Sequence, residues 1–239
     1  MSFVYAINSV DFSIMSDTRI SLNDELANLW NTEEERRLIR QVGLIKSVIV
    51  SPNVVVCYAG NNIDKAAELL RKTKSVGNNL EQIIDIAYEI HNTAEEDDIE
   101  FIVGYCDENT RELISIKNRQ LVRNCKIAWI GSWDAYNEFK RLENEISVQE
   151  LKGRKLIKED GRIHEKFIDE ELAKIRKLED IFREVVESGV DSTVGGMVVR
   201  IKIPTGENTF QYMAGKRITS SSWPQKLECG ESVTFYQGA

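Results

Sequence analysis

The chain is short of the side chains that hold metals. Only two histidines, His91 and His164, stand in 239 residues, which argues against a His-rich metal site. The four cysteines, Cys57, Cys106, Cys125 and Cys229, lie far apart with no CxxC spacing. They read as reduced thiols of the core or surface, not as a zinc site or a disulfide framework. A GxxxxGK[ST] phosphate loop is missing, so any ATPase working with this protein must be a separate chain. No apolar run approaches the roughly 18 residues that cross a bilayer. The opening residues lack the basic start and unbroken apolar stretch of a secretory signal, and a cytoplasmic protein without membrane contact is expected. Excess positive charge is missing too. A formal charge of −8 and a pI near 5.1 repel nucleic-acid phosphate and anionic lipid over much of the surface. Small molecules, peptides or proteins remain as partners, and no cofactor is expected.

What is present is a hydrophobic content of 42%, enough for a sizeable core. No linker or internal repeat divides the chain, so one domain over 1–239 is expected. Residues 3–7 and 12–15 read as a hairpin turning through Asn8, Ser9 and Asp11. Leu22, Leu26, Leu29 and Trp30 give a helical pattern within 21–42, and Thr32 with Glu35 forms a capping box there. "KSVIVSPNVVVCYA" at 46–59 is two β-branched strands around Pro52. Helices follow at 62–73 and 79–92. The second carries Leu80, Ile83, Ile84, Ala87 and His91 on one face, which makes His91 a buried or capping residue and not a catalytic one.

A second hairpin, "FIVGYCD" and "ELISIKN", turns at Asp107, Glu108 and Asn109, and the strand "KIAWIG" comes next. Ala135, Phe139, Leu142 and Ile146 form a helical stripe, 147–161 reads as a charged loop, and a long helix is expected over 162–188, stopped by Gly189. Strands resume at 197–203 and 209–213 and near 232–236. Helices segregated from mostly antiparallel strands predict an α+β layered domain, not a doubly wound parallel sheet.

The stretches "SFVYAI" and "SDTR", then "LIKSVIVSPNVVVCYAG", "FIVGYCDENTRELISI" and "KIAWIGSWDAYNEF", resemble the proteasome β-subunit superfamily of N-terminal-nucleophile hydrolases. The opening is especially similar to the bacterial ancestral-β-subunit homologues, and the resemblance spans roughly residues 2–203. It implies a four-layer αββα sandwich of N-terminal-nucleophile hydrolase type, with a helical insertion at about 20–44. It also implies a set of site residues. Ser2 becomes the nucleophile once Met1 is removed, and Asp17, in the Asp-Thr-Arg after the second strand, orients the active-site lysine. Lys46 lies 14 residues before Gly60 of "YAGNN", which is the family's spacing from that lysine to the glycine whose amide forms the oxyanion hole. Ser132 of "IGS" matches a residue that hydrogen-bonds the terminal amine, although a serine directly before a helix is also an N-cap. Asp191 of "GVDSTVGG" matches the aspartate of an Asp-x-x-Ser-Gly segment, with Val194 at the serine position unless a shifted register substitutes Thr193.

The sequence departs from the family pattern in two places. Ser2 and Asp17 are 15 positions apart, one fewer than usual, so the first turn is contracted; an ungapped match would put Met1 at the nucleophile position. The segment between Asp17 and Lys46 is longer than usual, which accounts for the helical insertion.

These residue types are needed together for one reaction. A freed α-amine has a reference pKa of about 7.7–8.0, so it is partly neutral near pH 7 and can take the hydroxyl proton of its own residue. A lysine cation at about 4 Å favours the alkoxide by on the order of 4 kcal/mol at an effective dielectric near 20. A backbone amide then stabilises the oxyanion, a contribution of about 3–4 kcal/mol elsewhere. The expected function is therefore an N-terminal-serine peptidase acting on peptides or unfolded protein inside a self-assembled homo-oligomeric ring, with a possible separate ATPase unfoldase. Two alternatives stand beside it: a non-catalytic structural ring subunit, and an amidase acting on small amides.

Overall fold

A computed structural model describes residues 2–9, 11–19, 45–94, 99–153, 163–203, 207–213, 225–226 and 232–233. Met1, the expected insertion at 20–44 and Cys229 lie outside the described residues. The elements run β1 (Phe3–Asn8), β2 (Phe12–Ser16), β3 (Ser47–Ser51), β4 (Val54–Gly60), α1 (Ile63–Val76), α2 (Leu80–Thr93), β5 (Ile99–Cys106), β6 (Arg111–Lys117), β7 (Gln120–Val122), β8 (Ile127–Gly131), α3 (Trp133–Gly153), α4 (Ile163–Ser188), β9 (Val199–Lys202), β10 (Gln211–Met213), β11 (Gln225–Lys226) and β12 (Ser232–Val233). One five-stranded sheet has the order β10-β9-β2-β1-β8 and the other β3-β4-β5-β6-β7, while β11 and β12 form a separate pair. Every pairing is antiparallel. The architecture is α+β, with two antiparallel sheets and four helices among the described residues.

Alternation along β1 explains why it is buried on both faces. Phe3, Tyr5 and Ile7 pack with Phe139 of α3 and Phe182 of α4, while Val4 and Ala6 meet Val55, Cys57 and Ile102 of the other sheet. The Phe3 and Phe182 rings stack at 4.9 Å, and Tyr5 lies 4.3 Å from Phe139. A third apolar cluster joins Val54, Val56 and Phe101 to Leu69 of α1 and Ile83 of α2. Asn62 and Asn79 cap these two helices, accepting from the Lys65 and Gln82 amides at 3.1 and 3.2 Å. Among the described residues no helix is long and apolar enough to cross a membrane.

His91 has a structural place. Its Nε2 accepts the Arg119 N–H at 2.9 Å, so the ring proton sits on Nδ1, which donates to the Ile99 carbonyl at 2.6 Å. The 120–122 strand was not expected from the sequence. It closes a two-residue hairpin whose turn, Asn118 and Arg119, has φ of 50° and 57°, and Arg119 hides what would be an obvious signal if it were glycine. One expectation is overturned: α3 continues to Gly153, so 147–153 is helix and not charged loop. "SVQEL" contains no breaker, and glutamine, glutamate, leucine and lysine all favour helix; charge alone is no stop signal.

Candidate functional site

The site lies at the open end of the β1–β2 hairpin. The register places Asp17 one position beyond the Val4–Ser16 pair, opposite Phe3, and the Asp17 N–H donates to the Phe3 carbonyl at 3.1 Å. The fully buried Asp17 carboxylate works on three groups. Oδ1 accepts from the Phe3 amide at 2.9 Å and from Lys46 Nζ at 2.8 Å, and Oδ2 accepts from the Gly195 amide at 3.1 Å. One oxygen thus ties the residue after Ser2 to the lysine.

Lys46 is itself buried, with 2% of its surface exposed. Its ammonium also donates to the Arg19 carbonyl at 2.6 Å. Burial pushes the Lys46 pKa below the usual lysine value and the Arg19 charge adds to this, while the Asp17 carboxylate opposes it. Tyr58 anchors the segment that carries the lysine. Its hydroxyl donates to the Ile45 carbonyl at 2.8 Å and its amide to the Lys46 carbonyl at 2.9 Å. Strand alternation then turns the Gly60 N–H, two residues on, toward the same side as Tyr58 N–H and past the start of β3.

The other wall comes from β8. The Ser132 amide donates to the Ser2 carbonyl at 2.6 Å, and Gly131 just before it has φ +95°. A Cβ at Gly131 would sit 1.9 Å from the Ser2 carbonyl oxygen and 3.0 Å from the Ala59 Cβ. The start of β1, the end of β8 and the end of β4 therefore meet at one point that only glycine fits. Of the two parts expected of Ser132, the N-cap is seen: its Oγ accepts the Ala135 amide at 3.1 Å at the start of α3, and it donates to Asp191 Oδ2 at 2.5 Å. Asp191 in turn accepts from the Thr193 amide at 2.7 Å and the Thr193 hydroxyl at 2.6 Å. Its burial disfavours ionisation, but the Ser132 and Thr193 hydrogen bonds together outweigh this and hold the carboxyl below the usual aspartate value.

Ser2, Asp17, Lys46, Gly60, Ser132 and Asp191 thus share one junction, although their sequence positions span most of the chain. The Val194 side chain stays out of it, buried with Phe3, Phe139 and Val185, while its N–H donates to the Asp191 carbonyl at 3.1 Å. Sequence reasoning missed the glycine pair beside it. The Gly195 carbonyl accepts from the Thr18 and Arg19 amides at 3.2 and 2.9 Å, and Thr18 Oγ1 accepts from Met197 N–H at 2.9 Å. A Cβ on Gly195 would come within 2.5 Å of the Arg19 guanidinium carbon, and one on Gly196 within 2.6 Å of Thr18 Oγ1. "DTR" and "GG" were signals of this contact, visible as motifs but not as partners. Among the described residues no group of three or more His, Cys, Asp or Glu side chains is arranged to hold a metal.

No protein-family model and no curated protein sequence matches this chain.

Proposed function

We propose that this protein is an N-terminal-serine hydrolase of proteasome β-subunit type, with a four-layer αββα sandwich, that cleaves peptide bonds within a self-assembled ring. The observation that carries this reading is Asp17 Oδ1, which holds the Phe3 amide and the Lys46 ammonium together inside the protein. A buried ion pair is no efficient source of stability, because desolvation offsets most of the attraction. Its placement one residue from a terminal-type serine has a chemical use. The three apolar clusters, one between the sheets and one between each sheet and its helices, support the layered reading.

In this mechanism the Ser2 α-amine, freed of Met1, takes the Ser2 hydroxyl proton as Oγ attacks the peptide carbonyl. Lys46 stabilises the developing alkoxide, Asp17 fixes Lys46, and the Gly60 N–H receives the oxyanion of the tetrahedral intermediate. The amine then returns its proton to the leaving amine, and water resolves the Ser2 ester. Ser132 and Asp191 hold the Ser2 carbonyl and the neighbouring loop.

The test is the intact mass of the purified protein after exposure to a peptide vinyl sulfone. A chain starting at Ser2 with one adduct, absent in Ser2→Ala, is the expected result. A chain that keeps Met1 and takes no adduct removes the mechanism and leaves a structural ring subunit as the reading.

A further inference from the structure

The steps above leave the Glu100 carboxylate unused. Glu100 stands on β5 opposite Ala59, and both Ala59 and Ile102, two residues on, face the space between the sheets. Strand alternation puts Glu100 on that same face. Its Oε2 accepts the Gly131 N–H at 2.8 Å.

That bond crosses from one sheet to the other. The Ser132 N–H points to β1, where it meets the Ser2 carbonyl, so the preceding Gly131 N–H points the opposite way, off the outer edge of its sheet. β8 is the edge strand and has no further neighbour there among the described residues. The Glu100 carboxylate stands where the next strand would, with a charge-assisted bond stronger than a ladder bond. Lys117 lies on the same side of the sheet; its ammonium sits 3.4 Å from the Trp129 ring centroid and feels the Glu100 charge. Gly131 is therefore held from both directions, by Glu100 at its amide and by the Ser2 carbonyl against its Cα.

We propose that Glu100 is a positioning residue: by holding Gly131 across the two sheets, it sets the Ser2 carbonyl, and with it the nucleophile and its amine, against Gly60. This rests on the reading of Ser2 as the nucleophile. Shifts well under an ångström matter to such a geometry, and a misplacement of about 1 Å costs on the order of 100-fold in rate.

The experiment compares vinyl sulfone labelling of wild type, Glu100→Ala and Glu100→Gln, separating the maximal labelling rate from the half-saturating concentration. Glu100→Ala is expected to lower the maximal rate by on the order of 100-fold with little change in half-saturation. Glu100→Gln keeps an acceptor oxygen and is expected to recover most of that rate. The Gly131 amide proton, downfield in wild type, should move upfield in Glu100→Ala and much less in Glu100→Gln. Wild-type labelling in Glu100→Ala, or equal losses in both variants, overturns the proposal alone. An unlabelled wild type overturns the nucleophile reading and this proposal with it. Should Glu100→Ala fail to fold, the Glu100→Gln and Glu100→Asp pair decides: equal rates in the two overturn the proposal, and a slower Glu100→Asp, whose carboxylate is one methylene short of Gly131, supports it.

Discussion

The two ends of the β1–β2 hairpin are built from opposite materials. At the turn end, Phe12 is fully buried, meets Phe210 edge-on at 5.1 Å and 88°, and lies against Gly104, where a Cβ would come within 3.1 Å of its ring. At the open end, where Ser2 and Asp17 flank the same two strands and meet Lys46 before β3 and Ser132 after β8, these four residues are buried as well. Burying the aromatic ring stabilises the fold directly, by about 1.5–3 kcal/mol for a large apolar side chain. Burying the polar set costs free energy that hydrogen bonds and the ion pair only offset. Among the described residues, four of the six glycines at positive φ, Gly60, Gly131, Gly195 and Gly196, lie at the open end; the other two, Gly77 and Gly189, follow helices. One end of the hairpin serves the core, and the other carries a constellation that stability alone does not require.

The largest effect expected from breaking this contrast comes at the open end. Lys46→Met leaves the Asp17 carboxylate buried without its cation, at a cost of about 3–5 kcal/mol, and removes vinyl sulfone labelling. Combining it with Asp17→Asn restores part of the stability, because the stranded charge goes, but restores none of the labelling. Urea unfolding and intact mass follow the two quantities separately. A Lys46→Met protein as stable as wild type contradicts the buried pair. At the turn end, Phe12→Ala costs a comparable or smaller amount, about 3–5 kcal/mol at most, through lost burial and the cavity left against Phe210. The folded fraction is expected to label at the wild-type rate. A Phe12→Ala protein that folds fully yet labels slowly would merge the two ends into one functional unit.

Most of the strands and helices were readable because their apolar residues recur at strand or helix spacing, as in "FVYAI" and in the stripe Ala135, Phe139, Leu142. Lys46 and Asp17 stand out in the sequence as candidate site residues through their motifs, but their burial does not, since a lysine at a strand end is ordinarily solvated. What the sequence could not show is which distant groups meet. Nothing local links Glu100 to Gly131 or Thr18 to Gly196; those contacts exist only once two sheets and a loop converge. Gln120–Val122 escaped for a local reason, because its turn uses Asn118 and Arg119 at positive φ in place of glycine. The α3 extension is hidden in the sequence because its charged residues suggest a loop, although their types favour helix.

The smallest effect expected is also the one that depends on pH. Asp191 sits partly exposed at the rim of the open end, with its carboxyl held below its ordinary value of 3.8 despite its burial, by hydrogen bonds from Ser132 and Thr193. A depressed carboxyl binds fewer protons in the folded protein than in the unfolded chain, so its contribution to stability is fully present above the unfolded value and fades as the pH falls through the folded one. Asp191→Asn removes the titration while keeping an acceptor oxygen. Wild type should therefore melt above Asp191→Asn at neutral pH, and the gap should narrow as the pH falls below 3.8. Melting temperatures from pH 7 to pH 3 measure this. A gap of constant size over that range would mean that the Ser132 and Thr193 bonds do not favour the ionised carboxylate, and Asp191 would then join the turn end as a residue of shape alone.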